Sequence, residues 1–259
     1  MQDCAPMPTP MTHSSRLSST EGIPLNEDET SAYCKIIGRL IYLTNTRPDI
    51  AFSVNNLNQI VSAPTKFHQQ AAFRISRYLK SNPGSGIFLS NNSPIHLKAN
   101  SDSDWATCSD SRKSITGFSV FLGESLISWK SKKQQTISKS SSEAEYKALT
   151  ATTSELQWLT YMLQDLGLTF TSPATLYCDN QSAIQIASNQ VFHERTKHIE
   201  IDCHIVREKL NTGLLKLLPI SSALQTADIL TKPLAPAVFK NLKSKLGMKD
   251  IYSQLEGGC

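Results

Sequence analysis

The chain has 259 residues, 39% of them hydrophobic, with a net charge of +4. That length and apolar content support one large domain or two modest ones without disulfide staples, and no apolar stretch reaches the roughly 18 residues of a membrane span. Six cysteines (Cys4, Cys34, Cys108, Cys178, Cys203, Cys259) lie far apart with no CxxC pair, which argues against a zinc ribbon or a secreted disulfide scaffold. With no signal-like start at Met1–Pro6, the expected setting is intracellular and the thiols reduced. The charge is unevenly spread: between Arg112 and Lys139, six basic residues (Arg112, Lys113, Lys130, Lys132, Lys133, Lys139) stand against Glu124 alone, a distribution suited to a polyanion.

Residues 1–30, rich in Pro, Ser, Thr and acids, read as an extended polar arm. Residues 31–90 carry three helical stripes: Ile36, Ile37, Leu40 and Ile41; Val54, Leu57, Ile60 and Val61; Ala71, Ile75, Tyr78 and Leu79. They are broken at Arg47-Pro48-Asp49 and Ser62–Thr65, so a small helical module is expected. Beyond a boundary near 85–94, strands at 95–101, 116–122 and 124–130 form an antiparallel meander that turns at Gly123. A long helix follows from Ser140–Ser142 to about Leu166, then a strand (174–178), a short helix (180–188), a helix (196–210) with the stripe Ile199, Cys203, Val206 and Leu210, a strand (214–218) and a terminal helical segment. This order gives an α/β domain over 94–259, a mixed five-stranded sheet flanked by helices.

Candidate chemistry lies in acids at the ends of these elements. Asp102 closes the first strand, with Asp104 the competing residue in the turn beside Trp105; Asp179 follows the strand at 174–178, and Asp228 follows the last strand by a short loop. Glu145 shares a line with Leu149, Thr152, Leu156, Leu159 and Leu163 at about 100° per residue, so it falls on the buried stripe, whereas Glu143 points away and is expected in solvent. Carboxylates from separate strands can meet at one sheet edge, and an oxygen-only set suits Mg²⁺ or Mn²⁺ and phosphodiester chemistry. Capping explains Asp179, Asn180 and Gln181 nearly as well as ligand contact does. Lys132, Lys133 and Ser138–Ser142 could meet phosphates or simply form a solvated loop. In 193–204, His198 and Asp202 share a helix face but His204 points away, so zinc is not expected and His198 reads as facing substrate or a salt bridge. Trp129 and Trp158 read as core.

With these runs laid out, the chain resembles the C-terminal end of the Pol polyprotein of Ty1/copia-type LTR retrotransposons. The matching runs are Ser101-Asp102-Ser103-Asp104-Trp105-Ala106, Ser114–Phe118, Ile127–Gln134, Ser142-Glu143-Ala144-Glu145-Tyr146, Leu176–Gln181, His193–Ile199 and Ala227–Lys232. The helical module resembles the thumb-like end of the family's reverse transcriptase through Gly38–Leu43 and Thr46–Ile50.

This resemblance implies an RNase H-like fold, Mg²⁺ (or Mn²⁺) held as a pair of ions by the catalytic acids Asp102, Glu145, Asp179 and Asp228, and hydrolysis of the RNA strand of an RNA/DNA hybrid. Arg112, Lys113, Lys132, Lys133, Ser142, Asn180, Gln181 and His198 are the expected nucleic-acid contacts. The rest of a retroelement polymerase is an implied partner, and the cytoplasm (a virus-like particle in the parent element) or the nucleus the implied location. The polymerase palm is missing, so DNA synthesis is not expected of this chain alone. Unlike retroviral and cellular ribonucleases H, it has no His in Ser221–Gln225 before the last acid. The alternative is a catalytically weak remnant that still binds nucleic acid.

Overall fold

The computed structural model describes residues 4–13, 17–189 and 199–252. In chain order its elements are α1 (Glu27–Leu43), α2 (Ala51–Asn58), α3 (Lys66–Ser81), β1 (Ser85–Ile87), β2 (Leu97–Asp104), β3 (Ile115–Leu122), β4 (Ser125–Lys133), α4 (Ser141–Asp165), β5 (Ala174–Cys178), α5 (Gln181–Ser188), α6 (Glu200–Asn211), β6 (Leu215–Pro219), α7 (Pro236–Lys245) and β7 (Met248–Asp250). They form two compact units, one of Met1–Phe88, Cys108–Arg112 and Lys232–Cys259, the other of Leu89–Thr107 and Lys113–Thr231. Among the described residues no helix is long and apolar enough to cross a membrane.

In the first unit, α1 begins earlier than the arm boundary at residue 30 suggests. Asn26 accepts from the Glu29 amide while the Glu29 carboxylate receives the Asn26 amide, a reciprocal cap that satisfies two donors otherwise stranded at a helix start. Nor is the preceding arm wholly solvated. Arg77 donates to the Ala5 carbonyl at 2.7 Å and Arg74 to the Thr9 hydroxyl at 3.0 Å, and Thr9 and Met11 are buried. Pro48 opens a short 3-10 turn to Ile50, as a residue without an amide proton does best at a helix start. The flanking Arg47 and Asp49 form a buried two-point pair at 2.9 and 2.8 Å, and the Tyr78 hydroxyl donates to the same carboxylate. Lys243 of α7 stands 3.8 Å from Asp49 and over the Tyr78 ring, and Phe239 meets that ring edge-on at 5.6 Å. A buried carboxylate needs cations around it. That requirement, with the antiparallel pairing of β1 and β7, groups the C-terminal segment with the helices instead of with the sheet of 94–259.

The second unit holds one sheet in the order β4-β3-β2-β5-β6. β2, β3 and β4 are antiparallel neighbours, while β5 lies parallel to β2 and β6 parallel to β5. This is the RNase H-like mixed five-stranded α/β architecture that the sequence pattern and its resemblance imply. The β3–β4 hairpin turns at Gly123, where φ is +60° and an added Cβ would lie 1.8 Å from Ser93 Oγ, so a side chain is excluded by backbone and by space. Leu149, Leu156, Leu159 and Leu163 of α4 share a buried core with Leu97, Ala99, Phe118, Val120 and Leu176 of the sheet and with Ala183 of α5 and Val206 of α6. Each such leucine contributes about 1.5–3 kcal/mol on full burial. That packing fixes which side of α4 faces β2, and hence where Glu145 goes. Trp158 differs from its expected core place: it is 57% exposed on α4, one helical step off the leucine stripe.

Candidate active site

β2 does not stop at residue 101 but pairs with β3 through Asp104, with Asp102 opposite Gly117 and Asp104 opposite Ile115. Ser-Asp-Ser-Asp has poor strand propensity, yet the partner strand decides the conformation. Asp102 is therefore inside the strand and 2% exposed, while Asp104 on the same face is only partly buried.

Glu145 lies in the first turns of α4 and is 6% exposed. One of its carboxylate oxygens, the Cys178 sulfur and a carboxylate oxygen of Asp179 all lie within 4.8 Å of one another. Asp102 and Asp228 are not in that set, but Asp102 is close enough for its charge to be felt at Cys178. Burial foremost, then the carboxylates of Glu145, Asp179 and Asp102, pushes the Cys178 thiol far up, against the donating Asn180 amide that lowers it. Cys178 is thus a close neighbour of Glu145 and Asp179 that sequence reasoning missed. Its adjacency to Asp179 at a strand end was the available signal.

Asp228 sits 8% exposed in a 3-10 turn, Thr226–Leu230, that packs on β2 and β3. Several contacts tie this turn to Asp102. Thr231, which hydrogen-bonds back to the Asp228 carbonyl, donates its hydroxyl to Asp102 Oδ2. Gln225 donates to the Ser101 carbonyl at 2.9 Å, and Ser119 and Thr226 share a hydroxyl bond at 2.7 Å. The approach is close because residue 117 is glycine: a Cβ there would lie 2.5 Å from Thr231 Cγ2, 3.0 Å from Leu230 Cβ and 3.2 Å from the Ala227 carbonyl. Gln134, just past β4, ties the other side. Its amide nitrogen reaches Ala144 O at 2.9 Å, Thr116 Oγ1 at 3.0 Å and Ser103 Oγ at 3.3 Å, linking the start of α4 to β2 and β3. In the segment without histidine, Ser222 donates to Asp179 Oδ2 at 2.8 Å.

Glu143 overturns the expectation of solvent exposure. It is 5% exposed, accepts from the Lys139 amide at 2.7 Å and pairs with Lys147 at 2.9 Å. It does point away from Glu145, but the loop after β4 covers that side. A backbone donor and an ammonium thus engage this carboxylate.

The expected nucleic-acid contacts divide. Lys132 and Lys133 end β4, in register through Thr116 and Ile115 with Ser103 and Asp104, at the same end of the sheet as Asp102; Lys132 is exposed. Lys113 precedes β3 at that end, and Ser142 is partly buried in the first turn of α4. Arg112 is exposed, with φ +53°, in the segment that belongs to the helical unit. Asn180 uses its Oδ1 to cap α5 at the Ala183 amide, 2.9 Å, so the capping alternative is realised for that atom, and Gln181 beside it is exposed. His198 lies outside the described residues.

No protein-family model matches the chain. It is 44% identical over 243 residues to the retrovirus-related Pol polyprotein from transposon RE1 of Arabidopsis thaliana, covering 94% of this chain and 16% of that one. It is 37% identical over 254 residues to the corresponding polyprotein of transposon TNT 1-94 from Nicotiana tabacum, covering 96% and 19%. Among solved structures, the N-terminal RNase H domain of a Mycobacterium tuberculosis protein aligns at a TM-score of 0.40 and 12% identity, over 58% of this chain and 97% of that one. The chain spans less than a fifth of the length of the polyproteins it matches. With identity of this level along nearly all of its residues, the chain belongs to the retrovirus-related Pol polyproteins of Ty1/copia-type retrotransposons.

Proposed function

We propose that the sheet unit is a metal-dependent ribonuclease H that hydrolyses the RNA strand of RNA/DNA hybrids. One observation carries the reading. Glu145 of a helix and Asp179 of a strand end come together at one end of the sheet, Asp102 lies in the neighbouring strand and Asp228 in a turn tied to Asp102 through Thr231. Asp102, Glu145 and Asp228 are each more than nine-tenths buried. Several carboxylates buried together are costly unless a cation receives them. Their donor set is hard oxygen, apart from the Cys178 thiol, and so fits Mg²⁺, with Mn²⁺ as the alternative. Asp102, Glu145, Asp179 and Asp228 would hold a pair of such ions, which when bound supply Lewis-acid stabilisation of charge on the phosphate oxygens.

The remaining work falls to this chain's own groups. Thr231 and Ser222 fix the carboxylates of Asp102 and Asp179 by hydrogen bonds, and Gln134 holds α4 in register with β2. Lys132, Lys133 and Lys113 attract the polyanion to the carboxylate end. Discrimination of RNA from DNA would come from contacts to the 2′ hydroxyl by Glu145, Gln181 and backbone groups. The helical unit is read as the thumb-like end of a reverse transcriptase, the rest of which is the expected partner, and the site of action as intracellular, cytoplasmic or nuclear. The test is a panel of labelled duplexes with Mg²⁺. Cleavage of RNA in the hybrid, with double-stranded DNA untouched and Asp102→Asn inert, supports the reading; equal cleavage of both, or full activity of Asp102→Asn, would sink it.

A further inference from the structure

Trp105 is 46% exposed, three residues beyond Asp102 at the carboxylate end of the sheet. A large aromatic is half in solvent there although the backbone around it is held in a costly form. Ala106, the next residue, has φ +53°, a conformation uncommon for any residue but glycine. It is kept by a hydrogen bond from the Ala106 amide to the Ser114 hydroxyl at 3.1 Å. The indole nitrogen donates to the Ser138 carbonyl at 3.0 Å, and the Ser138 hydroxyl donates to Gln134 Oε1 at 3.0 Å. The ring is thus anchored to the same glutamine that joins β2, β3 and α4. Strain of this kind persists where the surroundings over-determine it, and it gathers at functional positions. Trp158, the other exposed tryptophan, lies on α4 without a strained neighbour.

We infer that Trp105 is an aromatic platform for the substrate strand, packing against the sugar face of a nucleotide near the scissile phosphate. The inference rests on the ribonuclease H reading. Asp102, Ser103 and Asp104 are extended and Trp105 opens the turn after them, so the chain places this residue no more than about 10 Å from Asp102. Lys133 lies across β3 from Asp104, the residue before Trp105, so an aromatic face and a cation stand at one end of the sheet. This pairing suits a sugar–phosphate strand. In an intact duplex the base faces are stacked on one another, and what the wide, shallow minor groove offers is sugar.

The experiment uses the full chain in the Asp179→Asn background, so that hybrid is bound and not consumed. Trp129→Phe and Trp158→Phe leave Trp105 as the sole tryptophan. Titration with RNA/DNA hybrid is expected to shift its emission and protect it from acrylamide quenching. Separately, Trp105→Leu is expected to weaken hybrid binding about five- to hundredfold, the range of a lost aromatic contact. The slope of affinity against salt should stay the same, because no charge is removed. Emission and quenching unchanged at saturating hybrid overturn the platform, as does Trp105→Leu that binds like its parent. A changed salt slope also overturns it, since the ring would then be supporting the lysine loop. If Trp105→Leu does not fold, the sole-tryptophan titration decides. Wild-type chain that cuts hybrid while Trp105 stays solvent-like defeats this inference alone; wild-type chain that neither cuts nor binds defeats the ribonuclease reading as well.

Discussion

Gly117→Ala is the sharpest perturbation of how the acids are brought together. The new methyl would start 2.5 Å from Thr231 Cγ2 and 3.0 Å from Leu230 Cβ, against about 3.5–4.0 Å for carbon atoms in contact. Relief requires the turn carrying Asp228, or β3, to move by about 1 Å. Overpacking of this size costs about 1–3 kcal/mol, and for a unit of this length that lowers Tm by roughly 2–12 °C. The larger effect is on chemistry. A displacement of about 1 Å in a reacting constellation costs on the order of 100-fold, and the Thr231 bond to Asp102 is carried off with the turn. The assay is single-turnover cleavage of a labelled RNA/DNA hybrid below the melting transition, with hybrid affinity measured alongside. The expected result is kcat down about 100-fold with affinity little changed. A Gly117→Ala chain with wild-type kcat would refute the claim that this glycine sets the approach of Asp228 to Asp102.

Three other expectations follow, two from the same site and one from the helical unit. Glu143→Gln loses its charge pairing with Lys147 and should cost about 1–3 kcal/mol of stability while hybrid cleavage stays within a few-fold, whereas Glu145→Gln should lose cleavage; melting curves and rates that show the reverse would exchange their roles. Mg²⁺ at ten times its dissociation constant should raise the Tm of the sheet unit by about 3–6 °C, and Asp102→Asn should lose most of that rise; an equal shift in both would place the ion elsewhere. Burial holds the His68 imidazole below its ordinary pKa, opposed by weaker contributions from Ser18 and Asp110, and its Nδ1 accepts from the Thr65 amide at 2.9 Å. Its stability contribution is full above the unfolded value of 6.5 and is lost as pH falls from there toward the depressed folded value. His68→Asn, which keeps an acceptor without titrating, should flatten the fall of Tm between about pH 7.5 and 5.5; an unchanged slope would contradict this.

Much of the sheet unit is legible in the sequence because its signals are periodic. The apolar line through Leu149, Leu156, Leu159 and Leu163 identifies the buried face of α4 and carries Glu145 with it, and Gly123 marks a hairpin that only glycine can turn. What was not legible depends on partners distant in sequence. β2 continues through Ser-Asp-Ser-Asp only because β3 pairs with it, and Glu143 is buried only because the loop after β4 folds over it. The C-terminal helix joins the helical unit through Lys243 and Asp49, nearly 200 residues apart, a pairing that no local pattern announces. Thr231, Gly117 and Gln134 each act by contact with another element, so composition and spacing pass over them. Asp179, by contrast, stands at the end of β5 as read, with Cys178 beside it as an unforeseen neighbour.

The most direct measurement incubates the purified chain with a hybrid labelled in its RNA strand, in Mg²⁺ and in EDTA, beside Asp179→Asn. RNA lost only in Mg²⁺ and only with the unaltered chain is the predicted result. Cleavage that survives EDTA, or that Asp179→Asn performs equally well, would contradict a metal-dependent site built on these carboxylates.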